Sequence, residues 1–227
     1  EAVAAIAQEK QRVWKYADPV TEAEVALVGL GIDGTCVLYC QEGYRTAMVG
    51  TISLYDRLGE RLHTTYIGAP PEYGKEHFLA QMEREIQPYK QRYKGVPWVG
   101  IADGAKDYWP WLERFVDEQI LDFFHAAGYL EHAAKAMRRT ANQRQEWFEQ
   151  ARHQLKHDHG AAKRLWQQMS DALQYPEVKG NARHELEKAA GYFENNLSKM
   201  DYARYQERYR PIGSGVTEAA CKTVFTQ

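Results

Sequence analysis

The sequence predicts an α/β fold in which a sheet of about five strands is flanked by helices. Three observations support this class. β-like runs alternate with helical patterns over the first 125 residues, and helical periodicity alone continues from 126 to 210. The run at 26–32 is almost continuously apolar, which is typical of a strand covered on both faces. The order of meander, helix, strand, helix, strand predicts that the later strands lie parallel to the first.

The composition indicates a soluble globular protein. The 227 residues suffice for one large domain or two small ones, with 44% hydrophobic and 26% charged residues. No apolar run approaches the roughly 20 residues that a membrane helix needs, and no signal peptide is recognisable. Three cysteines argue against a disulfide framework and for a reducing compartment. We therefore expect a cytoplasmic protein without membrane contact.

Charge is unevenly distributed along the chain. Residues 1–122 hold 13 Lys and Arg against 19 Asp and Glu, whereas residues 123–212 hold 15 against 11. An acidic half joined to a moderately basic half suits a nucleic-acid enzyme. The chain begins at Glu1 rather than at methionine, so we expect a fragment or processed product with further flanking domains.

The first elements follow from periodicity and turn residues. Residues 1–16 read as a helix that Asp18-Pro19 ends. Three β-like runs follow at 25–40, 44–55 and 62–67. Glu42-Gly43 and Leu58-Gly59 supply the turns between them, so the three runs predict an antiparallel meander.

A helix–strand alternation follows the meander. Its elements are an amphipathic helix at 75–90, a buried strand at 96–102, a helix with Pro110 in its first turn, and a strand at 120–124. We divide the chain into an N-terminal helix and linker (1–19), an α/β core (20–125), an all-helical insertion of three to five helices (126–210) and a last helix (211–227) that Ser214 can cap.

Three acids stand at special points of these elements. Asp33 ends the apolar part of the first strand, Asp103 follows the fourth strand, and Glu218 begins the last helix. If the first and fourth strands are neighbours, Asp33 and Asp103 project into one cleft, and a third acid on a helix can complete the set. Clustered carboxylates repel one another unless a divalent cation neutralises them, and oxygen ligands favour Mg²⁺ or Mn²⁺.

Each acid also has a commoner structural use. Asp33-Gly34 and Asp103-Gly104 are turn signals, and a hairpin bend at Asp33-Gly34 is the more frequent outcome for such a pair alone. A glutamate in the first turn of a helix favours the positive end of the helix dipole.

Four motifs carry a resemblance to a known family. They are GIDGT (31–35), GIADGAKDYW (100–109), LDFFH (121–125) and IGSGVTEAACK (212–222). In this order, with a helical stretch before the last, the chain resembles bacterial insertion-sequence transposases of the DDE type, which are related to the Mutator group. The resemblance extends from about residue 20 to the end.

The resemblance implies an RNase H-like mixed sheet with an all-helical insertion before the last catalytic helix. It implies that Asp33, Asp103 and Glu218 are catalytic and hold two Mg²⁺ or Mn²⁺ ions for DNA cleavage and strand transfer. Asp122 and His125 match a further family signature, which makes Asp122 the rival for second aspartate; Asp103 is preferred because it ends a strand before a glycine turn. Transposon-end and target DNA, and a homo-oligomer, are the implied partners.

Alternatives remain for the function and for individual residues. The same acids serve a nuclease or resolvase that only hydrolyses, and an inactive transposase-derived DNA-binding module is a second alternative. A zinc protein using Asp122, His125 and the histidines at 153, 157 and 159 is the third. His125 is equally well a core histidine. The basic residues that we predict as DNA contacts, although a solvated surface is the commoner use, are Arg138, Arg139, Arg144 and Lys222.

Overall fold

The structure is a computed structural model that describes residues 23–39 and 43–217. The helix predicted at 1–16 and two predicted site residues, Glu218 and Lys222, lie outside the described residues. Within them the chain forms a mixed five-stranded sheet and seven α-helices. None of these helices is long and apolar enough to cross a membrane.

The first three strands form the predicted antiparallel meander. They are β1 (Leu27–Tyr39), β2 (Gly43–Tyr55) and β3 (Arg61–Ala69). β1 pairs with β2 and β2 with β3, both antiparallel. The hairpin bend considered at Asp33-Gly34 is wrong, because β1 runs through both residues and pairs them with Val49 and Met48. A strong partner strand here overrides the local turn preference of Asp-Gly.

Helix α1 (Gly74–Arg92) covers one face of the meander, as its apolar spacing predicts. Its Phe78, Met82 and Ile86 are fully buried. A Cβ atom on Gly50 would lie 2.3 Å from the sulfur of Met82, so the glycine lets the helix approach the sheet closely. Gly50 pairs with Ile32, and the side chain of Ile32 therefore points to the face that α1 covers.

Two further strands complete the sheet. β4 (Trp98–Ala102) and β5 (Glu118–Leu121) are connected through the short helix α2 (Trp109–Glu113). The amide of Asp117 donates to Trp98 O and the amide of Asp122 to Ala102 O, both at 2.9 Å. Because both strands advance in the same direction between these bonds, β4 and β5 are parallel to each other. The strand order is β3-β2-β1-β4-β5.

The predicted end of the fifth strand is wrong. The strand ends at Leu121, and helix α3 (Phe123–Met137) begins where we expected residues 122–124 to be extended. Asp122 is the N-cap of this helix, and its carboxylate accepts a hydrogen bond from the amide of His125. Aspartate is among the preferred N-cap residues, so the cap competes successfully with the β-propensity of the two phenylalanines.

Helices alone follow as far as residue 207. They are α4 (Ala141–His157), α5 (Ala161–Ala172), α6 (Gly180–Asn196) and α7 (Tyr202–Glu207). A capping box of Thr140 and Gln143 begins α4. Apolar residues at helical spacing in these helices are buried, namely Trp147, Ala151, Leu155, Leu165, Met169, Leu186, Ala190 and Phe193. Leu173 and Leu197, at helix ends, are only partly buried.

Contacts within the chain define two compact units. The first consists of residues 1–100, 112–118 and 214–227, and the second of residues 101–111 and 119–213. In the described part of the first unit, the apolar core lies between the meander and α1. In the second unit the core lies among the helices, where α3 packs against α4 and α6.

The start of the last helix packs against the second face of β1. Residues 215–217 are helical, and a Cβ atom on Gly31 would lie only 2.1 Å from Oγ1 of Thr217 and 2.5 Å from Oγ1 of Thr51. The two threonine hydroxyls are hydrogen-bonded at 2.9 Å in a buried position. Gly31 is therefore required by close packing rather than by its backbone angle.

We expect Gly31→Ala to lower the free energy of unfolding by about 1–3 kcal/mol, because the added methyl group would overlap both hydroxyls. Urea denaturation followed by circular dichroism measures the change. Gly128→Ala is the matched control: its Cβ would meet nothing within 4 Å, and alanine favours a helix. Equal losses in the two variants would contradict the packing role of Gly31.

Candidate functional site

Asp33 lies in the first unit, at the point where β1 leaves the apolar core. Its side chain is partly buried, and its Oδ1 accepts a hydrogen bond from the amide of Gly34 at 2.7 Å. Side chains alternate along a strand, so Asp33 points to the same face as Gly31. That is the face on which Thr217 packs. The sequence thus predicted the strand position of Asp33 but not the contact made beside it.

Glu218, the predicted third acid, lies outside the described residues. The residue before it in the chain is Thr217, which is buried and bonded through its hydroxyl to Thr51. Thr51 pairs with Gly31 in the β1–β2 ladder. The described part of the last helix therefore begins against β1, two residues away from Asp33 along the strand.

Asp103 lies in the second unit, directly after β4. Its Oδ1 accepts a hydrogen bond from the amide of Ala105 at 2.9 Å, and Gly104 has a φ of 96°. This backbone conformation favours glycine, so the Asp-Gly pair here is the turn that its sequence signals. The turn leaves the carboxyl group of Asp103 partly exposed at the end of a parallel strand.

Tyr192, on α6, supports this turn and was not predicted as a site residue. Its hydroxyl donates to the carbonyl oxygen of Asp103 at 2.7 Å. Its ring would lie 2.9 Å from a Cβ atom on Gly104, and it stacks on Tyr129 of α3 at 3.7 Å between centroids. The only sequence signal is a tyrosine beside the core residue Phe193, which a helical pattern does not distinguish from ordinary packing.

Asp122 and Asp103 follow the ends of neighbouring strands. The amide of Asp122 donates to the carbonyl oxygen of Ala102, the residue before Asp103. The side chain of Asp122 is fully buried and its Oδ1 accepts from the amide of His125 at 2.8 Å. Nδ1 of His125 lies 3.3 Å from the same oxygen, and the His125 side chain is 40% exposed. The Asp-x-x-His signature is therefore, locally, a helix cap with its histidine held beside it.

Two tyrosines of the second unit have raised pKa values. For Tyr192, burial is the main cause, and the nearby Tyr129, Asp103 and Asp122 raise its pKa further. Burial also raises the pKa of Tyr202, and the charge of Asp122 contributes. The Tyr202 hydroxyl donates to the carbonyl oxygen of Leu121 at 3.0 Å. Both phenols thus remain neutral hydrogen-bond donors at the ends of β4 and β5.

The predicted site residues divide between the two units. Asp103, Asp122 and His125 belong to the second unit, and Asp33 belongs to the first. Within residues 23–39 and 43–217, no group of three or more His, Cys, Asp or Glu side chains is arranged to hold a metal ion. This range includes the acids and histidines considered for zinc, but not Glu218.

The predicted DNA contacts divide by role. Arg144 is committed to the backbone, since its Nε donates to Arg138 O at 3.0 Å and its Nη2 to Arg139 O at 3.2 Å. These bonds cap the C-terminal end of α3. Arg138 lies over the ring of Trp147 at 5.8 Å, and Arg139 is exposed. Lys222 lies outside the described residues.

A scan of the chain against protein-family models finds no match, and a search of curated proteins finds none of similar sequence. The transposase resemblance therefore depends on the four motifs themselves, and it stays a prediction.

We expect Asp122→Ala to lower the free energy of unfolding by about 1–2 kcal/mol, because the N-cap bond to His125 is lost inside the protein. Asp122→Asn should lose less, since asparagine caps helices equally well. Thermal and urea denaturation compare the two variants. If alanine and asparagine are equally harmful, the charge of Asp122 rather than its capping bond stabilises the fold.

We expect stability to fall above a pH of about 10, where tyrosines in the unfolded chain lose a proton that Tyr192 retains when folded. The unfolded state then binds fewer protons than the folded state. Each such tyrosine therefore lowers the free energy of unfolding by about 1.4 kcal/mol per pH unit. Tyr192→Phe should remove one such contribution. Urea denaturation at several alkaline pH values measures it, and Tyr175→Phe, an exposed position, is the control. An unchanged slope in Tyr192→Phe would contradict the burial of this phenol.

Proposed function

We propose that this chain is the catalytic part of a DDE-type transposase, which cleaves DNA and joins the released end to a target by in-line phosphoryl transfer. The single observation that carries the proposal is the position of its acids. Asp33 lies where β1 leaves the core, Asp103 follows β4, and β1 and β4 are neighbours in the sheet. Ligands of open α/β sheets collect at strand ends such as the one that Asp103 follows.

The packing of the last helix supports the assignment of Glu218. Thr217 lies against Gly31, on the face of β1 to which Asp33 points. Glu218 is the next residue in the chain. A threonine hydroxyl bonded to Thr51, together with a glycine that leaves room for it, fixes where the described part of this helix begins.

Exposure favours Asp103 over Asp122 as the second aspartate. A carboxylate that holds an ion for phosphoryl transfer must be accessible to the substrate phosphate. Asp103 is partly exposed, whereas the side chain of Asp122 is completely buried and caps α3. We assign Asp122 and His125 to positioning the strand end that carries Asp103.

The donor set fits Mg²⁺ or Mn²⁺. Three carboxylates are hard oxygen ligands, and both described members, Asp33 and Asp103, are partly exposed. When bound, two such ions would neutralise the phosphate and lower the pKa of an attacking water. Asp33, Asp103 and Glu218 would hold them.

In the proposed reaction, a water molecule attacks the phosphodiester and the bond to the 3′ oxygen breaks, leaving a 3′-hydroxyl. That hydroxyl then attacks a target phosphodiester, so one P–O bond replaces another and no oxidant or protein-linked intermediate is required. The residues of this chain hold the acids in place: the Gly34 amide bonds to Asp33, and the Ala105 amide and the Tyr192 hydroxyl bond to Asp103.

The hydrolytic alternative uses the same acids. A nuclease or resolvase would cleave without joining, and an inactive DNA-binding module would do neither. The partly exposed carboxyl groups of Asp33 and Asp103 favour an active enzyme over an inactive module. Joining of a labelled transposon end to a target plasmid distinguishes transfer from hydrolysis.

We expect Asp103→Asn to reduce Mg²⁺-dependent strand cleavage about 100-fold or more, because an amide binds the ion poorly. The asparagine oxygen can still accept from the amide of Ala105, so the turn should persist. Asp107→Asn, an exposed acid four residues later, is the control and should cleave normally. Cleavage of end-labelled DNA on a gel measures all variants.

The same assay separates the two candidate aspartates. Asp122→Asn keeps the helix cap, so we expect it to fold and to cleave far better than Asp103→Asn. Full activity in Asp103→Asn together with loss in Asp122→Asn would transfer the second catalytic role to Asp122. Full activity in Asp33→Asn would contradict the proposed centre altogether.

A further inference from the structure

A pocket opens on the surface of the second unit where α3 meets α4. We refer to it as the corner pocket; its volume is about 460 Å³. The residues that decide its chemistry are Met137, Arg138, Arg139, Gln143, Glu146 and Trp147. This volume lies within the usual range of small-molecule sites, about 300–1,000 Å³.

The corner pocket has an apolar surface, and hydrogen bonds fix the backbone around it. Met137 and the buried Trp147 provide the apolar surface, and the guanidinium of Arg138 lies 5.8 Å from the Trp147 ring. Arg144 bonds to the carbonyl oxygens of Arg138 and Arg139, which fixes the backbone at the rim. The capping box of Thr140 and Gln143 fixes the adjoining start of α4. The pocket is therefore preformed, which reduces the entropy lost on binding.

The lining carries two arginines and one carboxylate, and of these Arg139 and Glu146 are exposed. Neither of these two forms an ion pair with any residue in the ranges 23–39 and 43–217. A simple anion would be attracted by Arg139 and repelled by Glu146. A ligand that combines an anionic group, a flat ring and hydrogen-bond donors on the ring edge would satisfy every part of the pocket.

We propose that the corner pocket binds one nucleotide of an unpaired DNA strand. The phosphate contacts Arg139, the base lies against Met137 and Trp147, and Glu146 accepts a hydrogen bond from the exocyclic amine of the base. The proposal rests on the proposed function for the identity of the polymer. A paired, stacked base in a duplex cannot enter such a pocket, so the site would select frayed or single-stranded DNA.

Fluorescence anisotropy with a short fluorescein-labelled strand tests the inference, with the matched duplex as a second probe. We expect Arg139→Gln to weaken binding of the single strand about tenfold. It should also reduce the slope of log K against log salt concentration by about 0.7, the value for one lost phosphate contact on a single strand. Arg152→Gln on α4 removes an equal charge from a half-exposed side chain outside the pocket, and should leave the slope unchanged.

A second pair of variants tests the base contact. Oligo-dC should bind more tightly than oligo-dT to the wild type, because a carboxylate accepts well from the cytosine amine. Glu146→Gln should reduce that preference, while Glu149→Gln, a half-exposed acid outside the pocket, should not. These are exposed side chains, so folding is expected to persist; circular dichroism verifies it.

The outcomes separate this inference from the proposed function. The inference is overturned if Arg139→Gln and Arg152→Gln have equal slopes, if Glu146→Gln keeps the wild-type preference, or if the wild type binds the duplex as tightly as the single strand. Base-selective binding without cleavage would support the pocket and contradict the transposase. Cleavage by a protein whose DNA binding does not change in the pocket variants would support the transposase and contradict the pocket.

Discussion

The first unit depends on a close approach that only a glycine allows. Gly31 leaves the space into which the hydroxyl of Thr217 fits, and that hydroxyl is bonded to Thr51 on the next strand. The opposite face of the same strands is closed by α1, again beside a glycine, Gly50. β1 is thus packed on both faces over its apolar half, and Asp33 is the first side chain on the Thr217 face beyond that packing. A rigid strand is the kind of support that a positioned carboxylate needs.

The second unit supports its acids in another way. β4 and β5 end side by side, and each end passes directly into a turn or a helix cap built by an aspartate. Two phenols hydrogen-bond to the backbone at these ends, Tyr192 to Asp103 and Tyr202 to Leu121. Because burial raises the pKa of both phenols, they remain donors to these carbonyl groups. Asp103 is partly exposed in this arrangement, and Asp122 is buried.

The strands and helices could largely be predicted from sequence because their signals are local. Alternation in the meander, apolar spacing in α1 and the helical periodicity after residue 126 each extend over many residues, and the structure has elements at these places. The end of β5 was predicted wrongly because two local signals, β preference and helix capping, compete there. Asp122-Phe123-Phe124 contains two residues with strong β preference, yet the preceding aspartate caps a helix that buries Phe123. Phe124 is 64% exposed there, which a strand interpretation would not suggest.

By itself, the sequence determined the α/β class, the order of the elements, and the positions of Asp33 within the first strand and of Asp103 directly after the fourth, since these depend on patterns between near neighbours. Only the tertiary structure decided that Asp33-Gly34 continues a strand, that Asp122 is buried while Asp103 is partly exposed, and that Tyr192 and Thr217 lie beside the acids. These facts arise from contacts between residues far apart in the chain, such as the 166 positions that separate Thr51 from Thr217. No local pattern encodes such a pairing, because it exists only after the chain has packed.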